Sequence, residues 1–261
     1  MNKQEKLQDL RHFLTRYGLP PERPVLSLGV AGADAALSGG LSSGALHEVY
    51  AQDWAAGGFA ACLAIRLAGR KPFFWVRSDY EALEYGALSA QGLVELGLDA
   101  RNLFLIRTAN AAAALAAAND ILSCPHVGVV LLELCGRALD PVASRRLNFI
   151  AAEKGVTILL LHEGAADQPS AAQTRWRIAS APSDDEEWGF PAYRAELIRN
   201  RLGPTGSWTM TWNPDDGLFR ESVLCAQAPY PGTLAAASPH RPAEASRQRR
   251  APQSEERRAA F

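Results

Sequence analysis

The residues Leu46-His-Glu-Val-Tyr-Ala-Gln-Asp-Trp-Ala-Ala-Gly-Gly-Phe59 run from an apolar stretch through a small-residue turn into a helical pattern, the layout of a loop that cradles phosphate. The chemistry of such a loop needs three things: glycines that let successive backbone N–H groups converge on phosphate oxygens, a lysine for the outer phosphates, and a serine or threonine hydroxyl for Mg²⁺. Gly57 and Gly58 are present and Asp53 stands in the turn, but the lysine and hydroxyl positions, at about residues 57–59, hold neither group. The layout suits a nucleotide, and the groups that would use one are missing. What remains is a helix start, which attracts anions weakly through its free N–H groups. No cofactor is therefore expected, beyond weak phosphate or nucleotide binding at Gly57 and Gly58.

Other residues could extend such a pocket. Glu133 closes the apolar run Val129-Val-Leu-Leu, and Asp79 closes Phe73-Phe-Trp-Val-Arg-Ser, each a carboxylate at the end of an apolar run. His162-Glu163 places an imidazole beside a carboxylate, a pairing able to act as general acid or base. It has no nucleophile, metal-ligand set or phosphate clamp near it in the sequence, so it reads as structural. Asp184-Asp-Glu-Glu187 reads as a solvated turn. Cys62, Cys124, Cys135 and Cys225 are widely separated and form no Cys-x-x-Cys or Cys/His ligand pair, which fits buried free thiols in a reducing compartment. No catalytic residue and no metal site is assigned.

The elements that would position these residues alternate. Residues 46–50 predict a strand, 57–68 a helix with Phe59, Leu63 and Leu67 at helical spacing, and 72–76 a second strand. Residues 81–96 predict a helix, 103–106 a short strand, 109–122 an alanine-rich helix, 127–134 an apolar strand, 141–153 a helix and 156–161 another strand. Continuous apolar strands separated by helices signal a mostly parallel sheet covered on both faces, an α/β fold. After His162 the pattern changes: residues 174–178, 193–198 and 208–212 alternate apolar with polar and are divided by turns such as Gly203-Pro204. They predict antiparallel strands added at the C-terminal edge, with Trp176, Trp188, Trp208 and Trp212 packing them.

The ends differ from this body. The 261-residue chain is 48% hydrophobic, enough for one large core. No apolar run approaches the roughly 20 residues that span a membrane, and residues 1–6 lead into a charged amphipathic stretch, so a soluble cytoplasmic protein is expected. Residues 5–17 put Leu7, Leu10, Phe13 and Leu14 on one helical stripe, a face for a partner or for the chain's own core. Beyond Ser222 the sequence carries Arg241, Arg247, Arg249, Arg250, Arg257 and Arg258 among Pro, Ala and Ser, too few apolar groups to offset chain entropy. The expected organisation is an N-terminal helix and linker over 1–24, a core over 25–221, and a disordered basic tail over 222–261.

Several runs together resemble a known superfamily. Leu26-Ser-Leu-Gly-Val30, with Ala35-Ala-Leu-Ser-Gly-Gly-Leu-Ser-Ser-Gly-Ala-Leu-His-Glu-Val-Tyr50, is similar to the segment that leads into the first strand and phosphate loop of a RecA-type core. Val129–Glu133 resembles a Walker B strand, the run ending in Asp79 resembles the strand that ends in RecA's catalytic glutamate, and Leu197-Ile-Arg-Asn-Arg-Leu-Gly-Pro204 resembles the lysine-bearing segment at RecA's subunit interface. The degenerate loop and the C-terminal Asn-Arg-x-Gly-Pro-x-Gly pattern most resemble the ImuA family of bacterial damage-inducible mutagenesis proteins, related to the shorter SulA-type cell-division inhibitors.

The resemblance implies a RecA-like core and a non-catalytic accessory role in SOS-induced translesion synthesis. Its implied partners are RecA, ImuB and an error-prone polymerase subunit, with a second copy of the chain as a further candidate and single-stranded DNA met weakly or indirectly. Arg199, Asn200 and Arg201, with Leu10 and Phe13, are the implied interface residues: arginines two apart on a strand share a face and can meet a neighbour's carboxylates or phosphate bidentately. The alternatives are a SulA-like division inhibitor and a DNA-dependent ATPase with an atypical pocket.

From composition alone, truncation after Ser222 is expected to leave the melting temperature within about one or two degrees. A drop of several degrees in a thermal melt would show that the tail contributes to the core.

Overall fold

The computed structural model describes residues 23–51, 53–124, 126–134, 139–163, 168–183 and 189–222. Leu10, Phe13, Trp188, the 184–187 acidic run, Cys135 and the segment from 223 onward lie outside the described residues. Connectivity separates Met1–Leu224 from Cys225–Phe261.

Among the described residues the central element is β3 (Leu46–Ala51), hydrogen-bonded in parallel to β7 (Thr157–Glu163) on one side and β8 (Thr174–Ser180) on the other. The sheet continues from β7 through β6 (Val129–Glu133) and β4 (Phe73–Ser78) to β5 (Leu103–Thr108), all parallel. From β8 it continues through β9 (Ala192–Asn200), β10 (Gly206–Asn213) and β11 (Leu218–Glu221), each antiparallel to the last. Nine strands thus stand in the order β11-β10-β9-β8-β3-β7-β6-β4-β5. A mostly parallel sheet with antiparallel strands at its C-terminal side is the α/β fold that the apolar patterning implies.

Because strand side chains alternate in direction, each strand feeds two cores. On one face, Val49, Phe73, Trp75, Leu131, Leu159 and Leu161 pack with helix α2 (Ala55–Ala68), whose Phe59 meets Trp176, Tyr193 and Phe219 at ring-centroid distances of 6.1, 5.4 and 5.2 Å. On the other, Leu46, Val76, Val130, Leu132, Ile158 and Leu160 pack with α5 (Ala111–Leu122) and α6 (Pro141–Lys154). Asn110 and Asp140 cap these two helices by accepting from Ala113 N and Val142 N. Trp176 and Trp212 are wholly buried, and Trp208 packs against the same cluster.

A short ribbon unassigned by periodicity precedes the sheet: β1 (Val25–Leu26) pairs antiparallel with β2 (Leu41–Ser42) around α1 (Ala31–Ala36). The pattern over 81–96 predicts one helix; the structure has two, α3 (Asp79–Glu84) and α4 (Ala90–Glu95). Gly86, at φ +79°, takes a left-handed conformation that ends the first, and Ser89 caps the second by accepting from Gly92 N. The second correction concerns β8, which alternation groups with the antiparallel strands. It runs parallel to β3, with His47 opposite Thr174, and only its β9 side is antiparallel. Alternation reports which faces are buried and carries no information on strand direction.

His47 shows how the central strand is secured. Its Nε2 lies 2.8 Å from the Ser42 carbonyl and its Nδ1 2.8 Å from Thr174 Oγ1, so the neutral ring with its proton on Nε2 donates to Ser42 and accepts from Thr174. Trp176 Nε1 donates to the same Thr174 hydroxyl at 3.1 Å. Burial lowers the His47 pKa from its ordinary 6.5 to about 4, against the Ser42 hydrogen bond that raises it. The unfolded chain therefore binds the proton more readily between these values. Stability is fully present above about pH 6.5 and falls as pH drops toward about 4, by on the order of 3 kcal/mol. Replacing His47 with Gln should flatten that part of the stability profile in denaturant melts, whereas an unchanged slope would assign it to other groups.

Candidate functional site

The carboxyl ends of β3, β4, β6 and β7 open onto a cavity of about 730 Å³ on the α2 face. Ligands of open α/β sheets bind outside strand carboxyl ends, where connections leave in different directions. Gly57 and Gly58 in the first turns of α2 form one wall, and the α3–α4 break from Tyr85 to Leu96 forms another. Glu133, Asp53, Trp75, Arg77 and Tyr193 also line it.

Asp53 sits where α2 begins. One carboxylate oxygen accepts from Ala55 N at 2.9 Å, and the other accepts from Ser180 N at 2.8 Å and Ser180 Oγ at 2.7 Å. Partial desolvation would raise its pKa, yet the hydrogen bonds from Ser180 and Ala55 and the nearby charge of Arg194 outweigh it and hold the carboxyl below its usual range. The N–H group and dipole end that a bound phosphate would use thus already face a resident anion. Gly57 and Gly58 differ: a Cβ on Gly57 would meet nothing within 4 Å, whereas one on Gly58 would come within 2.9 Å of the Tyr193 hydroxyl.

A second ionic group closes the inner end. Arg77 Nη2 donates to Glu133 Oε1 at 3.1 Å and to the Glu81 carbonyl at 2.9 Å, and Nη1 donates to the Gly86 carbonyl at 3.0 Å. Trp75 Nε1 donates to the other Glu133 oxygen at 2.9 Å. Both side chains of the ion pair are buried. Burial raises the Glu133 pKa, opposed by the Arg77 charge and the Trp75 hydrogen bond. Arg77 Nε has no hydrogen-bond partner among the described residues. Glu133 is a fully engaged carboxylate, with a guanidinium beside it where a metal ion would compete.

The remaining expected residues lie elsewhere. Asp79 is not part of the cavity lining, and its Oδ1 accepts from Arg107 Nη2 at 2.7 Å in a half-exposed pair. His162 belongs to the opposite face of β7, stacked on Tyr50 at 5.0 Å; burial lowers its pKa. Arg199 is exposed at the end of β9 opposite Arg175, beside a register shift. Asn200 Nδ2 donates to the carbonyls of Ala36 and Pro204. Arg201 donates to the carbonyls of Ala172 at 2.9 Å and Ser170 at 3.1 Å, and burial lowers its pKa. The sequence pairs Arg199 with Arg201; the structure leaves Arg199 open to solvent and spends Arg201 on the chain's own loop.

The cavity residues that periodicity did not single out are Trp75, Arg77 and the wall from Tyr85 to Leu96. A signal for Arg77 exists: it continues the inward alternation Phe73, Trp75, which puts a charge on a core-facing position.

No family model matches the sequence. Over 212 residues the chain is 34% identical to Protein ImuA of Caulobacter vibrioides, in strain NA1000 / CB15N and equally in strain ATCC 19089 / CIP 103742 / CB 15. The matched region takes in 72% of this chain and 83% of each relative.

Removing one partner of a buried ion pair strands the other charge, at a cost of about 3–5 kcal/mol. Glu133→Ala is expected to lose that much, and Arg77→Met with Glu133→Leu to lose less than the single change. A Glu133→Ala protein that unfolds in urea together with the parent would show that the pair is solvated.

Proposed function

The chain belongs to the ImuA family, and from that membership we propose that it serves the damage-inducible mutagenesis system as a non-catalytic RecA-like accessory to translesion synthesis. It acts by contact with RecA, ImuB and an error-prone polymerase subunit in the cytoplasm, and meets single-stranded DNA through them. One observation supports the non-catalytic part: the charges that line the cleft beside the degenerate loop are engaged with the protein's own groups. Asp53 holds the α2 start, and Arg77 and Glu133 neutralise each other at the inner end. Phosphoryl transfer depends on cations placed around the transferring group, and the loop from Ala51 to Phe59 supplies no lysine and no hydroxyl.

The partner surface follows the same reasoning. Arg199 is exposed at the end of β9, in register with Arg175 of β8, which makes it the charge on this strand end that a partner could meet. Arg201 contributes indirectly, by fixing the loop at Ser170 and Ala172.

Two measurements test this reading. The purified protein should neither hydrolyse ATP, with or without single-stranded DNA, nor gain thermal stability from millimolar Mg-ATP; DNA-stimulated turnover lost on changing Glu133 would overturn the non-catalytic role. Arg199→Glu should weaken association with RecA or with a second copy by about tenfold or more while the melting temperature holds. Arg201→Glu should instead destabilise the fold. Unchanged association in the Arg199 variant would remove this end of β9 from the interface.

A further inference from the structure

The cavity beside the α2 start is large, and its walls are those of a different kind of site. Leu88, Leu93 and Leu96 from the α3–α4 region face Phe190 and Tyr193 across about 730 Å³, a volume in the range that holds a sizeable ligand. At its mouth stands Trp54, 76% exposed, with Tyr85 edge-on to it at 5.6 Å. An indole left in water beside an apolar cavity is the kind of side chain that anchors protein contacts once a partner covers it. A small molecule sealed inside would leave Trp54 outside and uncovered.

Charge narrows the occupant. The lining carries three carboxylates, Asp53, Glu95 and Glu133, against one guanidinium, Arg77, whose terminal nitrogens are committed to Glu133 and to the Glu81 and Gly86 carbonyls. Anionic ligands are therefore disfavoured, and a cation beside an apolar group is favoured at the rim, where Glu95 is exposed.

We propose that this cavity receives an aromatic side chain of a partner protein, presented in a segment with arginine beside it. The anchor enters between Leu88, Leu93 and Phe190, Trp54 closes over its backbone, and the flanking arginine meets Glu95 and Asp53. The inference rests on the reading above, that the cleft holds no nucleotide.

Gly57 supplies the test, because a side chain there enters open space and replaces a glycine within a helix. The probe is the peptide acetyl-Gly-Arg-Phe-Arg-Gly-amide, titrated into the whole protein while leucine methyl resonances and tryptophan fluorescence are followed. Its counterparts are the same peptide with glutamate for arginine, N-acetylphenylalaninamide, and Mg-ATP. Saturable shifts of Leu88, Leu93 and Leu96 are expected at about millimolar peptide or below. Gly57→Phe should abolish them at unchanged or raised melting temperature, and Trp54→Ala should weaken binding about tenfold. The glutamate peptide and the single amino acid should bind at least about tenfold more weakly, and added salt should narrow the first difference.

No saturable shift with the arginine peptide, or shifts that survive Gly57→Phe, would overturn the proposal. Equal binding of the glutamate peptide would overturn its charge requirement, and equal binding of N-acetylphenylalaninamide would mark a small-molecule cavity instead. Mg-ATP separates the two levels: if it binds and displaces the peptide, the non-nucleotide reading falls with the inference, and if neither binds, only the inference falls.

Discussion

The fold depends on a strand that has no exposed side. With β7 and β8 both hydrogen-bonded to it and helices over its cores, β3 is buried on both faces, yet its sequence contains His47, Glu48 and Tyr50. Every polar atom on it must find a partner inside the protein, since an unpaired buried group costs several times what a hydrogen bond contributes. Glu48 accepts from Arg175 Nε at 2.6 Å, from the Tyr50 hydroxyl at 2.8 Å and from the Ser170 hydroxyl. Arg175 also donates to the Gln168 carbonyl at 2.5 Å and lies over the Tyr50 ring. These bonds tie β8 and the segment before it to β3, so the position of the antiparallel extension follows from the polar residues of the central strand.

The same logic governs the cleft on the α2 face. A phosphate loop normally leaves its helix start unsatisfied so that a ligand can complete it. Here the completion is internal, with Asp53 bridging the start of α2 and the end of β8, and Glu133 held by Trp75 and Arg77. Internal satisfaction pairs the buried charges with groups of the chain itself, and the carboxylates left in the lining disfavour an incoming anion. The space is left to apolar contacts, which need no charges of their own.

One wall of the cavity is a broken helix. The left-handed turn at Gly86 follows the end of α3, and the segment from there through α4 presents Leu88, Leu93 and Leu96 to the opening. Arg77 links the two features, since its guanidinium binds both Glu133 and the Gly86 carbonyl. Fold defect and buried ion pair are one arrangement.

Much of this was legible in the residues themselves. The apolar runs of β3, β6 and β7 and the helical spacing in α2 and α6 specify an α/β sheet, because burial on both faces demands continuous apolar strands and the pattern is local. The missing lysine and hydroxyl near Gly57 and Gly58 are likewise local facts. Tertiary structure alone decided the rest. Whether β8 runs parallel or antiparallel to its neighbour depends on how the 164–173 connection returns, which alternation does not encode. Arg199 and Arg201 look equivalent two positions apart and both are exposed, and only the placement of the Ser170 and Ala172 carbonyls makes Arg201 a tie within the chain. Glu133 and Arg77 are 56 residues apart; their pairing, and with it the closed inner end of the cleft, arises from the adjacency of β4 and β6, a long-range contact that no sequence window contains.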